Sequence, residues 1–194
     1  MSYTNETLIS LFEDLKIDVA HTSAALDGIA GTESRSLKDL KLNVSGVLRS
    51  NLIPRKETLL LALSVAINEK NETLIRSFRT LAGEEGATAE ELAEVVACVA
   101  VMSTNNIFYR FRHFMADNEF YNKTPAGLRM SVMMSPVLGK EFFELMSLAL
   151  SAVNGCEMCV QSHEESVKKH GASEARIYDA IRLVSVIKSL CVLV

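Results

Sequence analysis

A chain of 194 residues is long enough to bury one substantial core, and length alone favours one domain over two. Twenty Lys and Arg against 24 Asp and Glu give a net charge of −4, and the basic residues are scattered, which excludes the electrostatic footprint of a nucleic-acid binder. The start, MSYTNETLISLFEDLK, has no basic region ahead of an apolar core, so no secretory signal is expected. The apolar run from Val95 to Met102 passes into STNN well short of the roughly 18–20 uninterrupted apolar residues of a membrane span. A cytoplasmic location is the expectation. There, four cysteines are not a disulfide scaffold, and a close pair is more often catalytic or metal-binding.

In chain order, residues 1–36 read as an N-terminal helix followed by a loosely packed extension. Ala20 to Ser36 is poor in large apolar residues and carries Gly28 and Gly31, as a loop or a loosely attached small helix would. From there on, Leu37, Leu40, Val44, Val47 and Leu48 recur at helical spacing. Period-two alternation is almost absent. Pro54, Pro125 and Pro136 each stand near where a periodic segment begins, as proline's fixed φ favours. TPAGLRMSVMM opens with turn residues and continues as an apolar stripe. The prediction is an all-α single domain over 37–194, with about eight helices by mean helix length.

A repeat organises that domain. ETLLLALS (57–64) returns as ELMSLALS (144–151), with Asn68 and Asn154 following, and GATAEELAEVVACVAVM from Gly86 is echoed by GASEARIYDAIRLVSVI from Gly171. Thr88 and Ser173 would cap the last helix of each copy. An internal duplication is expected, with halves at about 54–115 and 136–194. Where the second copy has NGCEMC the first has NEKNET, so Lys70 and Thr73 fall opposite Cys156 and Cys159, and Glu57 opposite Glu144. Thiols in one copy only argue for local chemistry rather than packing.

Cys156, Cys159 and His163 stand at i, i+3 and i+7, along one stripe of a helix. Asn154-Gly155 breaks the preceding apolar segment and sets the cysteines in the first turns of a new helix. There the free N–H groups and the Cys-x-x-Cys arrangement favour thiolate. Such a pair is a redox centre in which one thiol can resolve the other as a disulfide. As a zinc site it would supply three ligands without a second pair for closure, and a catalytic zinc with an open position is the alternative. His170, just before Gly171, suits a helix C-terminus. Cys98 and Cys191 sit among apolar residues as buried, inert thiols. His21 is expected in solvent, His113 in packing or a surface contact, the methionines as adaptable filling, and Glu164 and Glu165 on a solvated face.

Glu144, then Cys156, Cys159 and His163, reproduce the E-x11-C-x2-C-x3-H pattern of the alkyl hydroperoxidase D family, within the carboxymuconolactone decarboxylase-like superfamily. LKDLKLNVSGVLRSNLI, NNIFYRFR, GLRM and LALSAVNGC resemble stretches of that family in the same order, from about Leu37 almost to the end. The resemblance implies an all-helical duplicated fold, commonly a homotrimer. It also implies a thiol peroxidase acting on alkyl hydroperoxides or passing electrons to an AhpC-type peroxiredoxin. No bound cofactor or metal is implied; electrons would come from a dithiol such as dihydrolipoamide on a lipoyl-bearing acyltransferase. By resemblance Cys159 attacks the peroxide, Cys156 resolves it in a redox-active disulfide, His163 is the base and Glu144 orients it. Met158 departs from members with histidine between the cysteines, the segment 17–36 is longer than usual, and the chain ends early at Val194. A non-peroxidase member of the superfamily and a non-enzymatic redox sensor are the alternatives.

Overall fold

Short polar side chains set most helix starts in the computed structural model, which describes residues 3–31 and 35–194. Asn5 caps α1 (Glu6–Asp14) and Ser23 caps α2 (Ala24–Ala30), each accepting a backbone N–H three residues on. Helices α3 (Arg35–Val47) and α4 (Arg55–Asn68) follow, the latter opening after Pro54. Asn71 caps α5 (Glu72–Glu84), and Thr88 with Glu91 forms a reciprocal capping box on α6 (Ala89–Phe114). Asn118 caps the short α7 (Glu119–Lys123), a 3-10 turn covers Ser131–Met133, and α8 (Lys140–Val153) starts after Gly139. Cys156 precedes α9 (Glu157–Lys169), and Ser173 caps α10 (Glu174–Leu193). Among the described residues there is no strand.

The fold is all-α, as expected, with ten α-helices among the described residues rather than about eight. The excess lies in short helices such as α2 and α7, well below the mean length on which the count rested. The stripe in TPAGLRMSVMM forms irregular chain and a 3-10 turn instead of an α-helix; Gly127, at φ +66°, holds a conformation that interrupts a helix.

Helices α4 and α8 are buried on every side, from Thr58 to Ala66 and from Phe142 to Ser151, so they occupy the centre. They touch each other, and α6 and α10 both pack across the pair. One 18-residue window of α6 is apolar enough to cross a bilayer by composition, although its longest unbroken apolar run is short. It is instead a core helix, in contact with α4, α8 and α9 and burying Glu94, Asn105 and Asn106.

The N-terminal extension is docked rather than loose. Leu26 of α2 is fully buried, Tyr3 Oη donates to Asp27 at 2.7 Å, and Ser23 bonds the Leu193 carbonyl. The expected boundary after residue 36 falls inside α3, and residues 32–34 of the expected loop lie outside the described residues.

Helices α4, α5 and α6 start 85 residues before α8, α9 and α10 (55 to 140, 72 to 157, 89 to 174). This register differs from the one read in ETLLLALS and NEKNET. Asn71 and Leu74, not Lys70 and Thr73, occupy the places of Cys156 and Cys159; Phe78 stands where His163 does, and Leu59 where Glu144 does. Leu- and Ala-rich helices match one another in several registers, whereas helix boundaries allow one.

Candidate active site

Helix α8 ends where Asn154 caps it and Gly155 turns the chain at φ +69°, a left-handed conformation that glycine adopts without strain. The N–H of Cys156 bonds back to the Ser151 carbonyl at 3.0 Å, closing the turn. Side chains from other helices brace it. Arg110 Nη1 donates to the Asn154 carbonyl at 2.7 Å, Asn154 Nδ2 donates to Asn106 Oδ1 at 2.9 Å, and Asn68 and Asn154 exchange amide bonds at 3.0 and 3.3 Å. Cationic Arg110 beside the C-terminus of α8 also suits that helix's dipole.

Cys156 is the N-cap residue of α9 and Cys159 lies in its first turn; a disulfide joins them, with Cα atoms 5.3 Å apart. Cys156 is fully buried and Cys159 nearly so. In this disulfide state neither sulfur is a free thiolate able to ligate a metal. Among the described residues no group of three His, Cys, Asp or Glu is placed to hold a metal ion.

One turn past Cys159, His163 is buried, and its Nδ1 lies 2.7 Å from Glu144 Oε2. Glu144 sits in the second turn of α8, only 3% exposed, and Lys140 Nζ reaches its other oxygen at 2.8 Å. Burial works to raise the Glu144 pKa, but the bonds from His163 and Lys140 outweigh it and hold the carboxyl at about 2. Glu144 is therefore an anion that accepts from His163 Nδ1–H, and in the neutral ring Nε2 is left as the basic nitrogen. A buried carboxylate fixing a histidine tautomer on the cysteine helix is an arrangement able to take a proton from a thiol.

All four residues singled out for catalysis thus stand in one unit formed by the second turn of α8, which carries Glu144, and the first two turns of α9 with its N-cap. The other sequence readings fare unevenly. Cys98 is buried against Ser147, 3.6 Å away, and burial pushes its thiol up to about 12. Cys191 is only partly buried, because it lies near the end of α10, yet burial and Glu69 still raise it to about 12. His21 is not in solvent: its ring packs on Phe12, centroids 5.9 Å apart, and its Nε2 is buried without a partner. His113 makes the expected surface contact, to Glu157 at 3.5 Å, and His170 caps α9. Glu165 pairs with Lys169 on an exposed face. Glu57 pairs with Arg176 of α10 at 2.6 Å. Lys140 and Arg110 escaped the sequence reading. Lys140 left a signal, since it precedes Glu144 by four residues, one helical turn. Arg110 left none, because it reaches the turn from a distant helix.

The Carboxymuconolactone decarboxylase family model matches residues 121–190, which contain Glu144 and the whole Cys-x-x-Cys-x-x-x-His segment. Over 169 residues the chain is 38% identical to the alkyl hydroperoxide reductase AhpD of Anaeromyxobacter dehalogenans strain 2CP-C, covering 87% of this chain and 90% of that one. The chain belongs to the AhpD family. The AhpD of Streptomyces griseus is 36% identical over 166 residues, covering 86% of this chain and 93% of its own. That of Rhodopseudomonas palustris strain BisB18 is 37% identical over 155 residues, covering 80% and 84%. The matches to AhpD relatives, 155 to 169 residues long, thus extend well beyond the segment of the family model at residues 121–190.

Proposed function

We propose that this AhpD-family chain is a thiol peroxidase that reduces alkyl hydroperoxides, with Cys159 as the attacking sulfur. The observation that carries the reading is the Cys156–Cys159 disulfide on the same helix as a His163 held by an ionised Glu144. In the reduced state His163 accepts the Cys159 proton, directly or through water, and Glu144 stabilises the imidazolium that results. The thiolate displaces alkoxide from the peroxide, leaving a sulfenic acid and, after proton return, an alcohol. Cys156 then condenses with the sulfenic acid, releasing water and forming the disulfide. A dithiol donor, dihydrolipoamide or a lipoyl-bearing acyltransferase, resets the pair, and an AhpC-type peroxiredoxin is an alternative electron acceptor. A cycle driven by dithiols suits the reducing cytoplasm. The common 85-residue spacing of the helix triplets supports an internal duplication, in which only the second copy carries the chemistry. The family resemblance supports a homotrimer.

The test separates the two thiols. Cys156→Ser, once reduced, should react a single time with hydroperoxide and leave a sulfenic acid trapped by a dimedone probe at Cys159; Cys159→Ser should not. His163→Gln should slow the reaction by about a hundred- to ten-thousandfold. A folded His163→Gln protein reacting at the wild-type rate would refute the relay. Turnover with dihydrolipoamide and an alkyl hydroperoxide separates an enzyme from a sensor that forms the disulfide and stops.

A further inference from the structure

Asn105 is 5% exposed and its Oδ1 is buried with no hydrogen-bond partner, while its Nδ2 meets only the thioether of Met130, at 2.9 Å. A thioether is a weak acceptor, so this buried amide is poorly satisfied at both ends. Buried orphans of this kind are rare and cost stability, so one that persists calls for a partner the folded chain does not itself provide.

Its place in the fold says which partner. Seven residues separate Asn105 from Cys98, two turns along one stripe of α6, and Cys98 lies against Ser147, one turn along α8 from Glu144. On the other flank of that stripe, Glu94 accepts the backbone N–H groups of Val137 and Leu138 at 2.7 and 2.6 Å. Asn105 therefore faces the segment from Met130 to Leu138, while its neighbour Asn106 donates to Ser151 of α8 at 2.9 Å. Helix α9 runs back along the same part of α6: Arg110 and His113 hold its start, at Asn154 and Glu157, while His163 joins Glu144 nearer the level of Cys98. Lys140 ties the segment from Met130 to Leu138 to the relay, donating to the Met133 carbonyl at 2.6 Å and pairing with Glu144 at 2.8 Å.

We propose that Asn105 is a substrate-binding residue, whose Oδ1 accepts the O–H of an alkyl hydroperoxide beside Cys159, with the alkyl chain against Met130, Met133 and Met134. Met134 is 82% exposed and the other two are partly so, an unbranched and adaptable apolar edge suited to varied chains. The inference rests on the peroxidase reading above. Holding the O–H fixes which oxygen meets the sulfur. The Cys159 thiolate forms an S–O bond to the terminal oxygen, the O–O bond breaks, and the alkoxide takes the proton held by His163. The hydrogen held by Asn105 stays on the oxygen of the new sulfenic acid.

Two reagents separate this role from any effect on the thiol itself. Iodoacetamide alkylates the same thiolate but has no peroxide O–H, so reduced Asn105→Leu should keep its alkylation rate within about twofold. Its reaction with tert-butyl hydroperoxide should fall by about ten- to hundredfold, the size of a lost hydrogen bond to a buried partner. Its thermal midpoint should match or exceed that of the wild type, since an orphan acceptor is removed. Asn105→Ala repeats the comparison should the leucine variant misfold. An unchanged peroxide rate, or a parallel fall in both rates, would overturn the assignment. A wild-type protein that alkylates normally yet ignores hydroperoxide would overturn the peroxidase reading as well, a result distinct from either.

Discussion

Glu144 is the residue on which the site's electrostatics turn. Its carboxyl is held at about 2 against an ordinary value near 4.5, so its ionised form is favoured by folding. A depressed carboxylate contributes stability that is fully present above its unfolded pKa and disappears as pH falls through the folded one. Wild-type protein should accordingly lose on the order of 2 kcal/mol between about pH 5 and pH 2 from this group alone. Glu144→Gln should show a flatter acid limb in denaturant titrations at stepped pH; identical limbs would mean that His163 and Lys140 do not hold the anion. The grouping of Glu144, Cys156, Cys159 and His163 was legible in the sequence because they are linked by spacings that two consecutive helices fix. Asn105 and Arg110 were not legible, since their partners, Met130 and Asn154, come from elsewhere in the chain and no periodicity connects them. His21 failed for a related reason: a polar segment says nothing of the Phe12 ring that covers it.

Arg176 ties three helices together. From α10 it grips Glu141 of α8 with two bonds of 2.9 Å, reaches Glu57 of α4 at 2.6 Å, and bonds the Leu52 carbonyl at 3.1 Å. Its side chain is 14% exposed, so the cluster is neither a screened surface pair nor a fully dry one. Removing one partner of a dry pair costs several kcal/mol and of an exposed one almost nothing, which brackets Arg176→Met at about 1–3 kcal/mol. Urea unfolding should show that loss for Arg176→Met and a smaller one for Glu57→Gln, with thiol alkylation within a few-fold of wild type in both. A drop in reactivity for Glu57→Gln comparable to that of Glu144→Gln would contradict this division of labour. Helix positions were readable from periodicity and capping residues, Thr88 and Ser173 among them. The pairing register of the two triplets was not, because apolar helices tolerate sliding in sequence while tertiary contacts such as Arg176 with Glu141 do not.

For the whole molecule, exposed apolar side chains gather from the end of α6 into α7. Phe114 and Phe120 are both more than 70% exposed, with Phe111 and Met115 beside them. An apolar collection of this kind is uncommon on a chain that stays alone in water. Sedimentation velocity at micromolar concentration should reveal an oligomer, and Phe114→Glu should shift it toward monomer with its helical circular dichroism intact; wild-type monomer alone would exclude self-association. The molecule also contains its own control experiment. Asn71 and Leu74 hold the backbone places of Cys156 and Cys159 at the mouth of a helix of equal length, but with Phe78 and Leu59 where the histidine and carboxylate would be. Cysteines installed there would form a dithiol in the same turn geometry, stripped of its proton-handling partners. With the native pair silenced by serine, the difference between the two sites is a direct reading of what a buried acid and one imidazole add to an otherwise ordinary Cys-x-x-Cys turn.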